Sequence, residues 1–361
     1  MMHKTDNPIL IGAIAPITNP GWIEAGNHLL AGLEFGVSEL NKAGGINGRL
    51  IELLVRDSAA NPQKATNLVD ELVGLGVIAI VGEYHSFVAK AIANRADERN
   101  VPFLCTSAVI DNLIEKPSKW IARLPQVQSK GWKAYAEFLT NNKHTNIALA
   151  TSPSVYWKAG THILREHFNK QGGSIIEFDT QRITPTDLCD KLNGSNATAL
   201  LLLVGYPDPA VSLVKAVRND SRLEKLLIGA PAGQPEFNSW MSELQENGSA
   251  IPFLRYMPEK LNSLGLYVLD KVRKHLGEEP SFVALEGYDA IHILANIMSL
   301  NGVNRNSIAR SWSQVTTNGT RGEIKLSQNP EMNVWQWQEA PVQVVDRDPL
   351  NKNKFRVLYV K

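Results

Sequence analysis

Short apolar runs alternate with longer amphipathic segments over most of the chain. The run from Ile9 to Ile14 is apolar on both faces, which is typical of a parallel strand covered by helices on both sides. Apolar residues then recur every four positions from Leu29 to Leu40, and this spacing predicts a helix with one face on a sheet. A second strand at 50–55 completes a strand–helix–strand unit, for which a right-handed crossover is expected.

The same alternation continues and predicts an α/β protein with parallel sheets. A chain of 361 residues is too long for one ordinary core, so we expect two doubly wound lobes. Predicted strands lie at 9–14, 50–55, 77–81 and 101–105 in the first lobe, and at 147–150, 174–178, 199–204 and 226–229 in the second.

The pattern changes after Pro252, where two long helices at 259–276 and 281–300 follow one another without a strand. Such helices cannot extend the second sheet, so we expect them to pack on the first lobe, and the β-rich ending beyond a turn at Asn329-Pro330 to rejoin the second. The predicted lobes are 1–124 with 251–330, and 125–250 with 331–361. Three crossings between lobes, the first at 120–125, predict a hinge, and a cleft between lobes is a favoured ligand position.

Composition excludes several classes of partner. With 37 basic and 36 acidic side chains the net charge is +1, which gives no electrostatic basis for binding nucleic acid or an anionic membrane surface. No apolar run approaches the ~20 residues of a membrane-spanning helix, and residues 1–7 lack the apolar core of a secretory signal. Cys105 and Cys189 are too few for a disulfide framework and are expected to be free and mostly buried.

Motifs for catalysis, cofactors and metals fail on context. The glycines of Gly74 to Ala79 match a dinucleotide fingerprint, but they are predicted to close a helix and precede a strand, which is the wrong order for phosphate binding. His162 and His167 are five positions apart and diverge on a helix, so a solvated face is expected and not zinc. No P-loop lysine motif or nucleophile elbow occurs, and we predict no catalytic residue, cofactor or metal.

Six loops rich in hydroxyl and aromatic side chains follow the predicted strands, on the side where open α/β sheets bind ligands. They span 16–22, 83–87, 106–108, 152–157, 206–209 and 230–234. These side chains could instead cap helices and cover the core. As a set, however, they are predicted to converge on the cleft.

The order of elements and several loop signatures resemble the type I periplasmic solute-binding proteins, in the branch that binds leucine, isoleucine and valine for ABC transporters. The stretch Glu39 to Gly48 (ELNKAGGING) carries the resemblance most specifically, supported by Asp57, Asn61-Pro62 and the Gly287 to Ala290 segment (GYDA). The resemblance runs nearly end to end and implies two doubly wound parallel-sheet lobes joined by a three-segment hinge.

In the first lobe, the resemblance implies that the ligand carboxylate lies against the Ser86 hydroxyl. Backbone N–H groups of Thr106, Ser107 and Ala108 would complete this carboxylate site, and Trp22 would lie over the mouth of the cleft.

In the second lobe, the resemblance implies ligand contacts from Tyr156 and Tyr206. Ala232 stands in the segment 229–233 (GAPAG), where amino-acid binders carry a glutamate in a Gly-Pro-Glu-Gly turn that pairs with the ligand ammonium group. The missing acid favours a carboxylate or carbonyl ligand without a free α-amino group, because burying an unpaired ammonium costs several kcal/mol. The aromatic residues near these loops suit an apolar or aromatic ligand body.

Three nearby acids, Glu83, Asp208 and Glu236, could substitute for the missing glutamate. If one of them does, an ammonium-bearing ligand becomes acceptable again.

The resemblance implies a binding protein and not an enzyme. It would be a monomer that closes two lobes on a small amino-acid-like or carboxylate/carbonyl solute and delivers it to an ABC transporter permease. Its location would be periplasmic, with an export signal expected outside this sequence. The alternative is a cytoplasmic regulatory sensor of the same fold, of the amide-sensing type. An enzyme on a doubly wound fold is a third possibility, but no acid–base or cofactor constellation supports it.

Overall fold

A computed structural model describes residues 7–328 and 332–361. The chain forms two compact units. Unit one comprises the described residues of Met1–Gln126 and Lys260–Pro341, and unit two comprises Val127–Glu259 and Val342–Lys361. None of the described helices is long and apolar enough to cross a membrane.

Strands and helices alternate through the first two thirds of the chain. The strands are β1 Ile9–Ala15, β2 Ile51–Asp57, β3 Ala79–Gly82, β4 Phe103–Cys105, β5 Ile121–Arg123, β6 Asn146–Thr151, β7 Ser174–Asp179, β8 Ala199–Leu203, β9 Leu227–Gly229, β10 Phe253–Arg255, β11 Thr316–Gly319, β12 Gly322–Gln328, β13 Trp335–Trp337, β14 Gln343–Asp348 and β15 Asn351–Val360. The helices are α1 Ile23–Lys42, α2 Pro62–Gly74, α3 Ser86–Glu98, α4 Gln128–Asn141, α5 Val155–Lys170, α6 Pro185–Asn193, α7 Ala210–Asn219, α8 Asn238–Leu244, α9 Ser263–Leu276, α10 Phe282–Asn301 and α11 Arg305–Arg310.

Unit one is organised around a sheet with the strand order β11-β12-β13-β5-β4-β3-β1-β2. Strands β1 to β5 are parallel, and their register aligns Ile14 with Gly82, Gly82 with Cys105, and Cys105 with Arg123. The carboxyl ends of these strands therefore lie at one edge of the sheet, and the loops that follow them are neighbours.

Helix α10 packs closely on α1 in unit one. A Cβ atom added to Gly32 of α1 would lie 1.8 Å from the Ala284 carbonyl oxygen of α10, so only glycine permits this approach of the two backbones. The side chains along α10 are almost all buried, including the charged residues Glu286 and Asp289. This helix therefore brings carboxyl groups into the interior of unit one.

Unit two contains a parallel sheet of order β7-β6-β8-β9 and an antiparallel sheet of order β10-β14-β15. The predicted strand–helix alternation of this region is confirmed, because the fully buried apolar run of β8 pairs with β6 and β9 inside the parallel sheet. The fold class predicted from the sequence is likewise confirmed. Cys105 and Cys189 are both free and buried, as expected.

The unit boundaries differ from those predicted from the sequence. Residues 120–125 are not merely a crossing, because β5 pairs with β4 and β13 in the unit-one sheet. The sequence predicts residues 331–341 in the second lobe, but Trp335 pairs with Ala122 of unit one. It predicts residues 251–259 in the first lobe, but β10 pairs with β14 in unit two. The predicted turn at Asn329-Pro330 lies outside the described residues.

Candidate functional site

The predicted site residues of unit one lie at the carboxyl edge of its sheet. Ser86 is the first residue of α3, after β3, and is 8% exposed. Thr106, Ser107 and Ala108 follow β4 and are at most 6% exposed. Trp22 directly precedes α1 and is partly buried. We call these five residues the unit-one half-site.

Trp22 is linked to the Ser86 loop through His85. The Trp22 backbone N–H donates to His85 Nε2 at 3.0 Å, and the Tyr84 ring packs edge-on against Trp22 with 5.8 Å between ring centroids. Burial lowers the pKa of His85 to about 4, so the imidazole is neutral and Nε2 can accept this bond at neutral pH. From the sequence, Tyr84 and His85 are predicted only as members of the loop 83–87.

Hydrogen-bond donors for a carboxylate come from α3 and from hydroxyl groups. In the described part of the chain no side chain caps the N-terminus of α3. The Val88 N–H already donates to the His85 carbonyl at 3.1 Å, so the donors that remain for a ligand are the N–H groups of Ser86 and Phe87 and the Ser86 hydroxyl. The predicted donation from the Thr106 backbone is wrong, because its N–H already donates to the Gly82 carbonyl at 2.8 Å. The Ser107 hydroxyl lies 3.4 Å from that of Thr106.

Asp57 braces the loop that carries Trp22. Its carboxylate accepts hydrogen bonds from the N–H of Ile17 at 2.9 Å and from the Thr18 hydroxyl at 2.6 Å, and it pairs with Lys64 at 2.9 Å. Burial opposes ionisation of this carboxyl, but these hydrogen bonds outweigh burial and hold its pKa well below the usual range. Asp57, one of the carriers of the family resemblance, therefore positions the loop.

Glu83 is a fully buried acid beside the unit-one half-site. Its Oε1 accepts hydrogen bonds from the N–H groups of Tyr84 and His85, both at 3.0 Å. Burial nevertheless raises its pKa to about 7, against the effect of these hydrogen bonds and of one from Ser58. The carboxyl group is therefore protonated in a large fraction of molecules at neutral pH.

A second group of buried charges lies behind Ser107. Arg321 Nη1 donates to Glu286 Oε1 at 3.0 Å, and Arg321 Nε lies 3.4 Å from Asp289 Oδ2. Asp289 also accepts from the N–H and the hydroxyl of Thr320, at 2.7 and 2.9 Å. All three charged side chains are fully buried, and burial raises the pKa of Glu286 to about 7.

The predicted site residues of unit two have aromatic and amide neighbours. Tyr156 lies at the start of α5, 5.8 Å from the Trp132 ring and 4.9 Å from the Trp157 ring, centroid to centroid. The Gln128 side-chain amide donates to the Tyr156 carbonyl at 3.0 Å. Tyr206 packs on Trp240 at 5.8 Å. With Ala232, Tyr156 and Tyr206 form what we call the unit-two half-site.

The segment around Ala232 contains no free carboxylate. Glu236, proposed as a substitute acid, is 4% exposed and forms a bidentate pair with Arg255 at 2.8 and 3.2 Å, so its charge is already neutralised. Gln234 is 1% exposed, its amide nitrogen donates to the Val204 carbonyl at 3.3 Å, and Oε1 has no hydrogen-bond partner in the described part of the chain. Sequence reasoning missed this acceptor, although it directly follows the turn. Asp208 is exposed.

Within the described ranges, the side chains of Glu24, His28 and Glu278 are grouped closely enough to suggest a metal site. The hydrogen-bond pattern favours another role. His28 Nδ1 accepts from the Ser281 N–H at 3.0 Å, so Nε2 carries the proton and donates to Glu278 Oε1 at 3.2 Å. The group thus links α1 to the start of α10. The glycines from Gly74 onward close a helix and precede a strand, as predicted, because Gly74 ends α2 and β3 begins at Ala79.

An open groove of about 760 Å³ runs along α5 and β7 of unit two. It touches Ser152, Ser154 and Trp157 of the predicted loop, but not Tyr156 or Tyr206. The groove therefore does not coincide with the unit-two half-site.

Comparison with known proteins gives a consistent family pattern. The profile of a family described as "Periplasmic binding protein" matches residues 8–338. "Leu/Ile/Val-binding protein homolog 3" of Brucella melitensis is 26% identical over 228 residues, which are 61% of this chain and 60% of the relative. The chain thus aligns with less than two thirds of that relative's length.

Solved structures share the fold over nearly the whole chain. The branched-chain amino acid transporter substrate-binding protein LivJ of Streptococcus pneumoniae, in complex with isoleucine, has a TM-score of 0.84 at 21% identity, covering 97% of this chain and 99% of LivJ. An ABC transporter solute-binding protein of R. palustris in complex with benzoate has a TM-score of 0.81 at 16% identity, covering 98% and 96%.

Proposed function

The chain belongs to the periplasmic binding protein family, and we propose that it is the extracytoplasmic solute-binding component of an ABC transporter, to whose permease it delivers a small solute. Its ligand carries a carboxylate or carbonyl group and an apolar or aromatic body, and lacks a free α-amino group.

The arrangement around Ser86 is the observation that carries this proposal. The buried Ser86 hydroxyl lies at the start of a helix that no described side chain caps, and the buried Thr106 and Ser107 hydroxyls follow the neighbouring parallel strand β4. Helix N-termini and hydroxyl donors stabilise a carboxylate, and the hydrogen bonds to such a charged group are stronger than neutral ones. This half-site therefore suits the polar end of the ligand.

Unit two supports the rest of the proposed ligand. The Tyr156, Trp157 and Tyr206 rings offer apolar surface with polar edges, which suits an aliphatic or aromatic body. Near Ala232, the Glu236 carboxylate is paired with Arg255 and the remaining acceptor is the neutral amide of Gln234. An amide oxygen accepts a hydrogen bond but does not neutralise an ammonium group, so an α-amino group is disfavoured.

A thermal-shift panel tests the proposal. Leucine and phenylalanine are compared with 4-methyl-2-oxopentanoate, phenylpyruvate and benzoate, because a ligand at 100 times its Kd stabilises the folded protein by about 2.7 kcal/mol. We expect the acids without an amino group to raise the melting temperature more than the amino acids, and Ser86→Ala to remove most of the shift. Stabilisation by the amino acids alone would show that an ammonium partner exists.

A further inference from the structure

Glu286 is a buried charged group of α10 whose carboxyl group interacts with Ser107, a residue of the proposed carboxylate site. Its side chain is fully buried, with Oε1 bonded to Arg321 Nη1 at 3.0 Å. Oε2 makes no well-formed hydrogen bond in the described part of the chain, and the Ser107 hydroxyl interacts with the carboxyl group. An acid therefore lies directly behind a residue of the unit-one half-site.

The charges around Glu286 do not neutralise it fully. Arg321 is shared between Glu286 and Asp289, so one guanidinium faces two carboxyl groups. On the sheet side, Cys105 of β4 interacts electrostatically with Arg123, Glu286 and Glu83. The Cys105 thiol itself stays neutral, because burial raises its pKa to about 12. An anionic ligand at Ser107 would add one more negative charge to this group.

The Ser107 hydroxyl has a single hydrogen, for which the Glu286 carboxyl group competes with the Thr106 hydroxyl 3.4 Å away, and the protonation state of Glu286 decides how strongly it competes. An ionised Glu286 is an acceptor only, so the hydroxyl donates to it and presents lone pairs to a ligand. A protonated Glu286 can donate its own hydrogen to the Ser107 oxygen, which frees the hydroxyl hydrogen for a ligand oxygen. Only the second arrangement favours a carboxylate.

We propose that Glu286 is a specificity-determining residue of the unit-one half-site, and that a carboxylate ligand binds together with one proton that Glu286 takes up from solvent. The inference rests on the proposed function. The pKa of Glu286 supports it, since burial raises that pKa to about 7, against the effects of Arg321 and Ser107, and a nearby anion raises it further. Above about pH 7 the free protein would therefore have to gain the proton on binding.

Calorimetric titration with benzoate, and separately with 4-methyl-2-oxopentanoate, tests this. Each titration is done at pH 8 in two buffers of different ionisation enthalpy, which gives the number of protons taken up per ligand. We expect close to one proton for the wild type, and an affinity that falls up to tenfold per pH unit above about pH 7. Both ligands are ionised throughout this range, so they do not supply the proton themselves.

Two variants identify the residue that takes up the proton. Glu286→Gln mimics the protonated acid, so it should bind without proton uptake and with little pH dependence. Glu83→Gln removes the other buried acid beside the half-site whose pKa is raised to about 7, and the uptake should persist in this variant if Glu286 takes up the proton. Wild-type binding without proton uptake, or uptake that disappears in Glu83→Gln instead, would overturn the role of Glu286. If the wild type binds neither carboxylate, the proposed function fails and this inference falls with it.

Discussion

The two half-sites are built from different chemistry. Unit one surrounds its hydroxyl groups with fully buried charged side chains, whereas unit two surrounds its tyrosines with neutral aromatic rings and glutamine amides. The buried charged side chains of unit one are those of Glu83, Arg123, Glu286, Asp289 and Arg321. The neutral neighbours in unit two are Gln128, Trp132, Trp157, Gln234 and Trp240. Charged groups thus dominate the surroundings of the unit-one hydroxyls, and neutral groups those of the unit-two tyrosines.

The contrast also predicts where stability and binding are coupled. Buried charges require partners, so a substitution among the buried charged residues of unit one should reduce the stability of the fold more than the affinity for ligand. Aromatic side chains on loops can be removed at a smaller structural cost when they are only partly buried, as Tyr156 and Tyr206 are. Substitutions in unit one should therefore mainly lower stability, and substitutions in unit two should mainly lower ligand affinity.

Removal of the shared guanidinium should have the largest effect. Arg321→Met leaves the buried Glu286 and Asp289 carboxyl groups without their cation, and breaking a buried ion pair in this way costs about 3–5 kcal/mol. Chemical denaturation should show this loss, together with weaker hydrogen-exchange protection of the α10 amides. In unit two, Arg165→Met removes the exposed partner of Glu177 and should cost no more than about 1 kcal/mol. Equal losses of stability in Arg321→Met and Arg165→Met would contradict the contrast between the two units.

The titration of the Glu83 carboxyl group should be visible in the pH dependence of stability. Its pKa in the folded protein is raised to about 7 from an ordinary 4.5, so its contribution to stability is full below the unfolded-state pKa and is lost as the pH rises through about 7. Between pH 5 and pH 8, the free energy of unfolding of the wild type should fall by roughly 3 kcal/mol more than that of Glu83→Gln. Parallel pH profiles for the two proteins would show that Glu83 does not titrate in this range.

Much of the fold could be predicted because the strands of parallel sheets are buried on both faces and therefore form continuous apolar runs. The short strand β5 contains the buried Arg123, and its charge hides the apolar pattern. Its pairing with β13 joins Ala122 to Trp335, residues far apart in the chain, and no local pattern reports such a contact. The boundary errors at 120–125 and 331–341 follow from that missed pairing, and the error at 251–259 follows from the pairing of β10 with β14.

The candidate site could be predicted only as far as the loops. Strand ends place Ser86 and Thr106 at one edge of a sheet, so their proximity follows from the alternation of strands and helices. The position of Glu286 behind Ser107 depends on the packing of α10, which the sequence does not specify. One signal was present, however: a glutamate in the middle of the otherwise apolar start of α10 indicates a buried acid with a specific partner.

The smallest effect on the fold should come from the tyrosines of unit two. Tyr156→Ala and Tyr206→Ala should each weaken ligand binding by about 1–3 kcal/mol, because a ring contact or a buried hydroxyl hydrogen bond is lost. The melting temperature of the free protein should change little, since both side chains are only partly buried. Tyr359→Ala is the matched control. Tyr359 lies on β15 of the same unit and is not part of the half-site, and its hydroxyl donates to Glu137 of α4 at 2.8 Å. Its removal should leave affinity unchanged. Titration calorimetry and thermal denaturation of the three variants separate the two effects. If affinity is unchanged in Tyr156→Ala and Tyr206→Ala while the melting temperature drops sharply, these tyrosines are core residues, and unit two does not hold the ligand body through them.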